Sequence, residues 1–182
     1  MRRIAKTAPE KHGTIVVRRA PAKKSRAILQ YGVLRIPAAI GRSGTTALKR
    51  EGDGATPIAS MGLLHGFWRA DRVGGVSTPL PLRRIRADML WCDAADHPSY
   101  NRLVRAPFLA SHEEMWRADD LYDVCLVLDW NITSRRRNRG SAIFFHLIRP
   151  GYEPTAGCVA VNAGDMMRLL PFLRRGTRLR VV

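Results

Sequence analysis

A chain of 182 residues, 46% of them apolar, is long enough to bury one core and short for several. Its 31 Lys and Arg against 15 Asp and Glu leave a net charge of +16, which favours anionic partners over basic ones. Three cysteines with no Cys-x-x-Cys pair argue against a disulfide framework or a zinc site, and no apolar run approaches the roughly 18 residues of a membrane-spanning helix.

In chain order, residues 1–12 are charged and predict a basic disordered tail. The stretch from Met1 to Glu10 has no apolar segment after it, so it does not read as a signal peptide. Thr14–Arg18 and Arg26–Gln30 predict strands, Gln30–Gly32 a turn, and Val33–Ile36 a continuation of the sheet. A Gly/Ser/Thr-rich loop then leads to Pro57; its Gly41-Arg-Ser-Gly-Thr-Thr46 lacks the Gly-Lys-Ser/Thr ending of a phosphate loop. Residues 60–68 predict a further strand and 70–81 a loop. Residues 88–107 mix aromatic and polar groups without a period and predict a long structured insertion near the site.

Ser111-His-Glu-Glu114 has the form of a capping box and predicts a short helix over 112–118. Leu121–Trp130 predicts a buried strand, Ser134–Gly140 a basic loop, and Gly140–Ile148 a second buried strand. Asn162 is placed to cap a helix reaching about Arg174, with Asp165 near its positive end and Met166, Leu169, Leu170 and Leu173 on its apolar face. Pro171 should bend that helix or end it early. Thr177–Val182 predicts a closing strand.

The chemistry-bearing residues follow from this order. His146 ends an apolar strand, and Cys158 lies twelve residues later, after Gly157 and a Pro/Gly-rich loop. A thiol beside an imidazole is the minimum equipment for cysteine acyl transfer: the ring takes the proton and the sulfur attacks a carbonyl. A buried free thiol is also a common structural residue. Cys125, inside Val124-Cys-Leu-Val-Leu128, reads as an inert core thiol, and Cys92 after Trp91 is ambiguous. His65, His97 and His112 are weaker candidates for the base.

The segment with His146, then Thr155-x-Gly157-Cys158, resembles the catalytic motif of the L,D-transpeptidases, the YkuD-type enzymes that cross-link bacterial peptidoglycan. Lys49-Arg-Glu-Gly-Asp-Gly-Ala-Thr-Pro57 resembles a second segment of that family, in the same order along the chain. The resemblance covers roughly residues 26–182. It implies a mostly β fold, a mixed β-sandwich with a few short helices, built as a single catalytic domain over 13–182. It implies Cys158 as nucleophile, His146 as base, amides near Gly157 and Cys158 for the oxyanion, and Thr155 at the substrate. Peptidoglycan stem peptides are the implied partner, carbapenem β-lactams the implied inhibitors, and the periplasm or cell wall the implied location. No metal or other cofactor is implied.

The chain departs from the family pattern where Arg usually follows, reading Cys158-Val159-Ala160, and where His-Gly becomes His146-Leu147. Its segments Trp91-Cys-Asp93, Tyr100-Asn-Arg-Leu-Val104 and Gly140-Ser-Ala-Ile-Phe144 resemble a compact subgroup linked to 1,3-type cross-links. A stem-peptide carboxylate still needs a cation, so Arg149 and Arg139 are the candidate substitutes for the missing arginine. Tyr100 and Asn101 either hydrogen-bond the stem or pack a loop. Two alternatives remain open: a carboxypeptidase or amidase using the same site, and a nucleic-acid-binding protein exploiting the +16 charge.

Overall fold

A computed structural model describes residues 13–182; the tail expected over 1–12 lies outside the described residues. Three strands come first: β1 (Thr14–Arg19), β2 (Arg26–Tyr31) and β3 (Leu34–Ala39). Two short parallel strands follow, β4 (Thr45–Thr46) and β5 (Thr56–Pro57), then β6 (Ser60–Trp68) and β7 (Leu82–Arg84). Next come β8 (Met89–Cys92), β9 (Arg102–Arg105) and β10 (His112–Glu114). The chain ends with β11 (Val124–Leu128), β12 (Phe144–Leu147), β13 (Val159–Val161), the helix α1 (Ala163–Leu169) and β14 (Arg178–Val181).

The main sheet runs β11-β12-β13-β3-β2-β1-β14-β6-β7, and β11 also pairs with β6. That extra pairing closes eight strands into a ring, with β7 carried on β6. The sheet is mixed: β1 with β14, β12 with β13, and β6 with β7 run parallel, and the other pairs antiparallel. A three-stranded sheet, β10-β8-β9, forms separately. The described residues are thus mostly β with one short helix, as the resemblance implied.

Strand alternation sorts the side chains into two cores. Val124, Leu126 and Leu128 of β11 and Phe145 and Leu147 of β12 join Ile15, Leu29, Val159, Leu179 and the helix residues Met166 and Leu169 in the larger cluster. Cys125, Val127 and Phe144 point the other way, into a second cluster with Trp91, Met115 and Tyr122. The second cluster lies between the main sheet and β8-β9-β10. The expected insertion over 88–107 therefore supplies the cover on which the candidate site rests.

The helix expected over 112–118 is not formed. Residues 112–114 pair antiparallel with β8, His112 opposite Cys92, Glu113 opposite Trp91 and Glu114 opposite Leu90, and Met115 is fully buried. Sheet pairing and burial outweigh a local capping signal. The cap at Asn162 does form: its side chain accepts from the Asp165 amide at 2.8 Å. The helix stops at Leu169 and passes into a 3-10 turn over Leu170–Phe172, where Pro171 cannot donate an amide.

Gly66 on β6 is a test of this packing. A methyl there would come within 2.5 Å of Leu126 Cδ2 and of Leu82 Cδ2. Gly66→Ala is expected to destabilise the fold by about 1–3 kcal/mol, as overpacking does. An unshifted urea midpoint would contradict that packing.

Candidate active site

β12 and β13 bring the histidine and cysteine together. They run parallel with His146 opposite Ala160, and Cys158 stands two residues before Ala160. With a period of two, Cys158, Ala160 and His146 share one face of the sheet. Both reactive side chains are buried, Cys158 at 7% exposure and His146 at 4%. They line one cleft of about 220 Å³, together with Glu113, Arg117, Tyr122 and Arg149. Ala160 lines it too, so an arginine in its place would fill this space.

The His146 ring is fixed by a backbone carbonyl. Nδ1 lies 2.6 Å from the Leu147 oxygen, a hydrogen bond that requires the proton on Nδ1 and leaves Nε2 with a free lone pair. Tyr122 meets the ring edge-on at 5.3 Å between centroids. Burial pulls the imidazole down to about 4, against the opposing pull of the Leu147 carbonyl. At neutral pH the ring is uncharged and able to take a proton.

The Cys158 thiol rests in a pocket of backbone groups. Sγ donates to the Ala142 carbonyl at 3.1 Å and accepts from the Phe144 amide at 3.3 Å. Burial pushes the thiol up to about 12, with the Glu113 carboxylate adding to the effect. The resting pair is therefore a thiol and a neutral imidazole, with the thiol hydrogen directed at Ala142.

Tyr100 and Asn101 do not line this cleft; they support it from behind. Asn101 is buried, and its Oδ1 accepts from the Ala142 amide and from Trp91 Nε1, both at 3.0 Å, while Nδ2 donates to the Trp130 carbonyl at 3.1 Å. Ala142 has φ +49°, a left-handed conformation that the Asn101 bond helps to hold. The carbonyl that receives the thiol hydrogen is thus set by Asn101. The Tyr100 hydroxyl donates to the Glu51 carboxylate, which also accepts from Ser141 Oγ at 2.8 Å. These hydrogen bonds all run to groups of the protein itself.

The Gly157 backbone has φ +147°, and a Cβ there would stand 3.0 Å from the Ala55 carbonyl oxygen. This approach of the protein's own backbone is one reason for glycine here. Its N–H donates to Thr155 Oγ1 at 3.1 Å, and that hydroxyl donates to the Cys158 carbonyl at 2.7 Å. Thr155 lines the cleft and also fastens the loop, since its amide donates to Ile40 O and its carbonyl accepts from the Arg42 amide.

The second motif packs under the first. Lys49 is 3% exposed; Nζ donates to Asp53 Oδ1 at 2.5 Å and to the Arg50 carbonyl at 2.9 Å. Asp53 also accepts from the Arg50 amide at 2.7 Å and the Ala55 amide at 2.9 Å. Burial raises the Asp53 carboxyl, but Lys49 and these amides outweigh it and hold the group below the usual carboxylate range. Thr56 Oγ1 accepts from the Gly41 amide at 2.8 Å and reaches the Cys158 carbonyl at 3.4 Å. The Lys49–Pro57 segment is therefore a frame for the cysteine loop.

The two candidate arginines separate. Arg149 lines the cleft and pairs with Asp119 at 3.4 Å and Glu153 at 3.7 Å. Arg139 lies outside it, in a surface depression with Trp130 and Asn131. Sequence reasoning missed Glu113, Arg117 and Tyr122. Arg117 grips Asp119 through Nε at 2.7 Å and Nη2 at 2.8 Å, which holds that carboxyl down at about 2. No local pattern distinguishes these residues, because the strand that aims Glu113 into the cleft looked helical.

The remaining thiols and the weaker histidines lie elsewhere. Cys92 and Cys125 are fully buried, and burial pushes Cys125 well above the usual thiol range. His65 packs edge-on against Phe67 at 5.1 Å and does not line the cleft. Among the described residues no group of His, Cys, Asp and Glu is arranged to hold a metal ion, and no helix is long and apolar enough to cross a membrane.

A carbonyl-fixed neutral imidazole and a buried thiol on one face of a β-sheet are the equipment of a cysteine acyl-transfer protein. The chain belongs to the L,D-transpeptidase catalytic-domain family, YkuD, whose model matches residues 13–182. Among solved structures it is similar to L,D-transpeptidase 1 of Mycobacterium tuberculosis, with 11% identity and a TM-score of 0.39, covering 93% of this chain and 62% of that one. The chain thus spans less than two thirds of that protein's length. No curated protein sequence matches it.

Proposed function

We propose that the protein is a peptidoglycan L,D-transpeptidase that joins stem peptides through an acyl-enzyme on Cys158. The observation that carries this reading is the shared cleft of Cys158 and His146, with Nδ1 of the ring committed to Leu147 and Nε2 left free. Sγ turns from the Ala142 carbonyl toward the ring, Nε2 takes its proton, and the thiolate attacks a stem-peptide carbonyl. The same proton passes to the departing amine. An amine of a second stem then displaces the thioester and leaves a cross-link. The Cys158 N–H serves the oxyanion, since the Gly157 N–H is held by Thr155.

Linkage of the 1,3 type is the form suggested by Ala160, which leaves the cleft without the usual arginine. Carbapenem β-lactams, which would acylate the same sulfur, are the expected inhibitors, and the periplasm or cell wall is the expected place of action. Water in place of the second amine would give carboxypeptidase or amidase action from the same intermediate. Chromatography and mass spectrometry of disaccharide-peptides after incubation separate the two. Cross-linked dimers support the transpeptidase, and trimmed monomers alone overturn it in favour of the hydrolase.

Arg149 is the proposed anchor for the stem carboxylate, with Arg117 behind it. Arg149 is about half exposed and already shares Asp119, so its loss is expected to lower kcat/KM about tenfold. Arg149→Lys should recover part of this, because a point charge replaces a planar fork. Arg139→Ala should leave kcat/KM unchanged, since that side chain lies in a separate depression. The opposite ranking in steady-state kinetics would move the carboxylate site to the other end of β12.

A further inference from the structure

We propose that Glu113 and Tyr122 form a subsite for the ammonium group of the acyl acceptor, and that the Glu113 carboxylate removes the proton that keeps that amine from attacking. The inference rests on the acyl-transfer reading and concerns its second half. Glu113 is placed by β10, where it sits opposite Trp91 of β8 and turns into the cleft shared by Cys158 and His146. The Tyr122 hydroxyl donates to its carboxylate, and the Tyr122 ring lies edge-on against His146. The carboxylate is thus tied, through Tyr122, to a ring that packs against the base.

Two observations say that this carboxylate awaits a cation. The first is the pairing of the other charges in the cleft. Arg117 commits Nε and Nη2 to Asp119, and Arg149 is shared between Asp119 and Glu153. Glu113 makes no ion pair among the described residues. Its hydrogen-bond partner is a neutral phenol.

The second observation is that Glu113 opposes the first half-reaction. A carboxylate near Sγ disfavours the thiolate, and Glu113 is among the causes that raise the Cys158 thiol. A group that hinders acylation and lines the same cleft has a reason to be there in deacylation. The acceptor amine arrives as an ammonium, since free amines hold their proton to roughly pH 8–10. An ammonium has no lone pair and cannot attack a thioester.

The charges facing Glu113 suit it to this exchange. Burial raises its carboxyl, Tyr122 and Arg117 lower it, and Asp93 and Glu51 raise it, with a net upward shift. Such a group holds an ammonium by a charge-assisted hydrogen bond and takes a proton from it more readily than an exposed carboxylate would. The ammonium gives one proton to Glu113, and the free amine attacks the thioester carbon. The C–S bond breaks, and the second N–H proton passes through His146 to Sγ, restoring the thiol. Glu113 then returns its proton to solvent.

The test uses a tetrapeptide-bearing disaccharide as acyl donor and a second disaccharide-peptide with a free amine as acceptor. Glu113→Gln keeps an acceptor for the Tyr122 hydroxyl but removes the charge, so a purely structural role would survive the change. Intact-protein mass spectrometry reads the acyl-enzyme, and product analysis reads aminolysis against hydrolysis. At pH 7 the ratio of aminolysis to hydrolysis is expected to fall about a hundredfold in Glu113→Gln, the range of a lost general base. It should recover as pH rises and the acceptor loses its own proton. An equal ratio in variant and wild type overturns the inference while leaving the acyl-enzyme reading intact. No adduct on the wild type overturns both. A measurement that needs no variant stands beside it: wild-type aminolysis at fixed total acceptor should vary little between pH 6.5 and 8.5. A climb of about tenfold per pH unit, tracking free amine, would show that no protein base acts there.

Discussion

Cys158→Ala is expected to abolish acyl transfer, lowering turnover by at least about a thousandfold, while the fold survives. The methyl group gives up the sulfur atom and its two hydrogen bonds, to Ala142 and from Phe144. The stability cost should stay near 1 kcal/mol. Cys125→Ala should behave in the opposite way. Its side chain is fully buried in the second core, so truncation costs about 1–2 kcal/mol and spares the chemistry. Turnover that persists in Cys158→Ala and vanishes in Cys92→Ala would show that the nucleophile is elsewhere.

Asp53→Asn is expected to destabilise the protein by about 3 kcal/mol, because it leaves the Lys49 ammonium buried without its counter-charge. The effect should reach the site. Lys49 Nζ lies 3.6 Å from the position a Gly157 Cβ would take, and the Asp53 carboxylate holds the Ala55 amide whose residue touches Gly157. Activity should fall along with stability. The pH dependence has a definite sign. The Asp53 carboxyl is held below its ordinary value, so its contribution is present above roughly pH 4, the unfolded value, and is lost as pH falls through the lower folded value. Urea denaturation of wild type and Asp53→Asn should therefore differ most near pH 7 and converge in acid. Equal stability at pH 7 would mean that the pair does not hold the loop.

Much of this arrangement was legible where local pattern and fold agree. The strands expected at 14–18, 26–30 and 60–68 match β1, β2 and β6, and Asn162 caps α1 as its side chain predicts. His146 ends an apolar run that was legible as a strand, and Cys158 stands just before β13, the strand that pairs with it. Partnership between distant strands was not legible. The pairing of β11 with β6 that closes the ring joins residues about 60 apart, and no local signal encodes it.

The capping box at Ser111 misled for the same reason. A four-residue signal that stabilises an isolated helix end yields to pairing with β8 and to burial of Met115. Glu113 was hidden by that misreading. Tyr100 and Asn101 were visible as residues of interest, but sequence could not say whether their polar groups face substrate or the 140–142 backbone. Asn101 holds the Ala142 amide directly, and Tyr100 shares the Glu51 carboxylate with Ser141, so both act on the site from behind it.

The most direct test of the central claim is to trap the intermediate. Wild-type protein incubated with a tetrapeptide-bearing disaccharide, acid-quenched and digested, should carry one acyl adduct. Peptide mapping by mass spectrometry should place it on Cys158, and the adduct should disappear when amine acceptor is added as cross-linked product forms. An adduct on Cys92 or Cys125, or cross-linked product made by Cys158→Ala, would contradict the account.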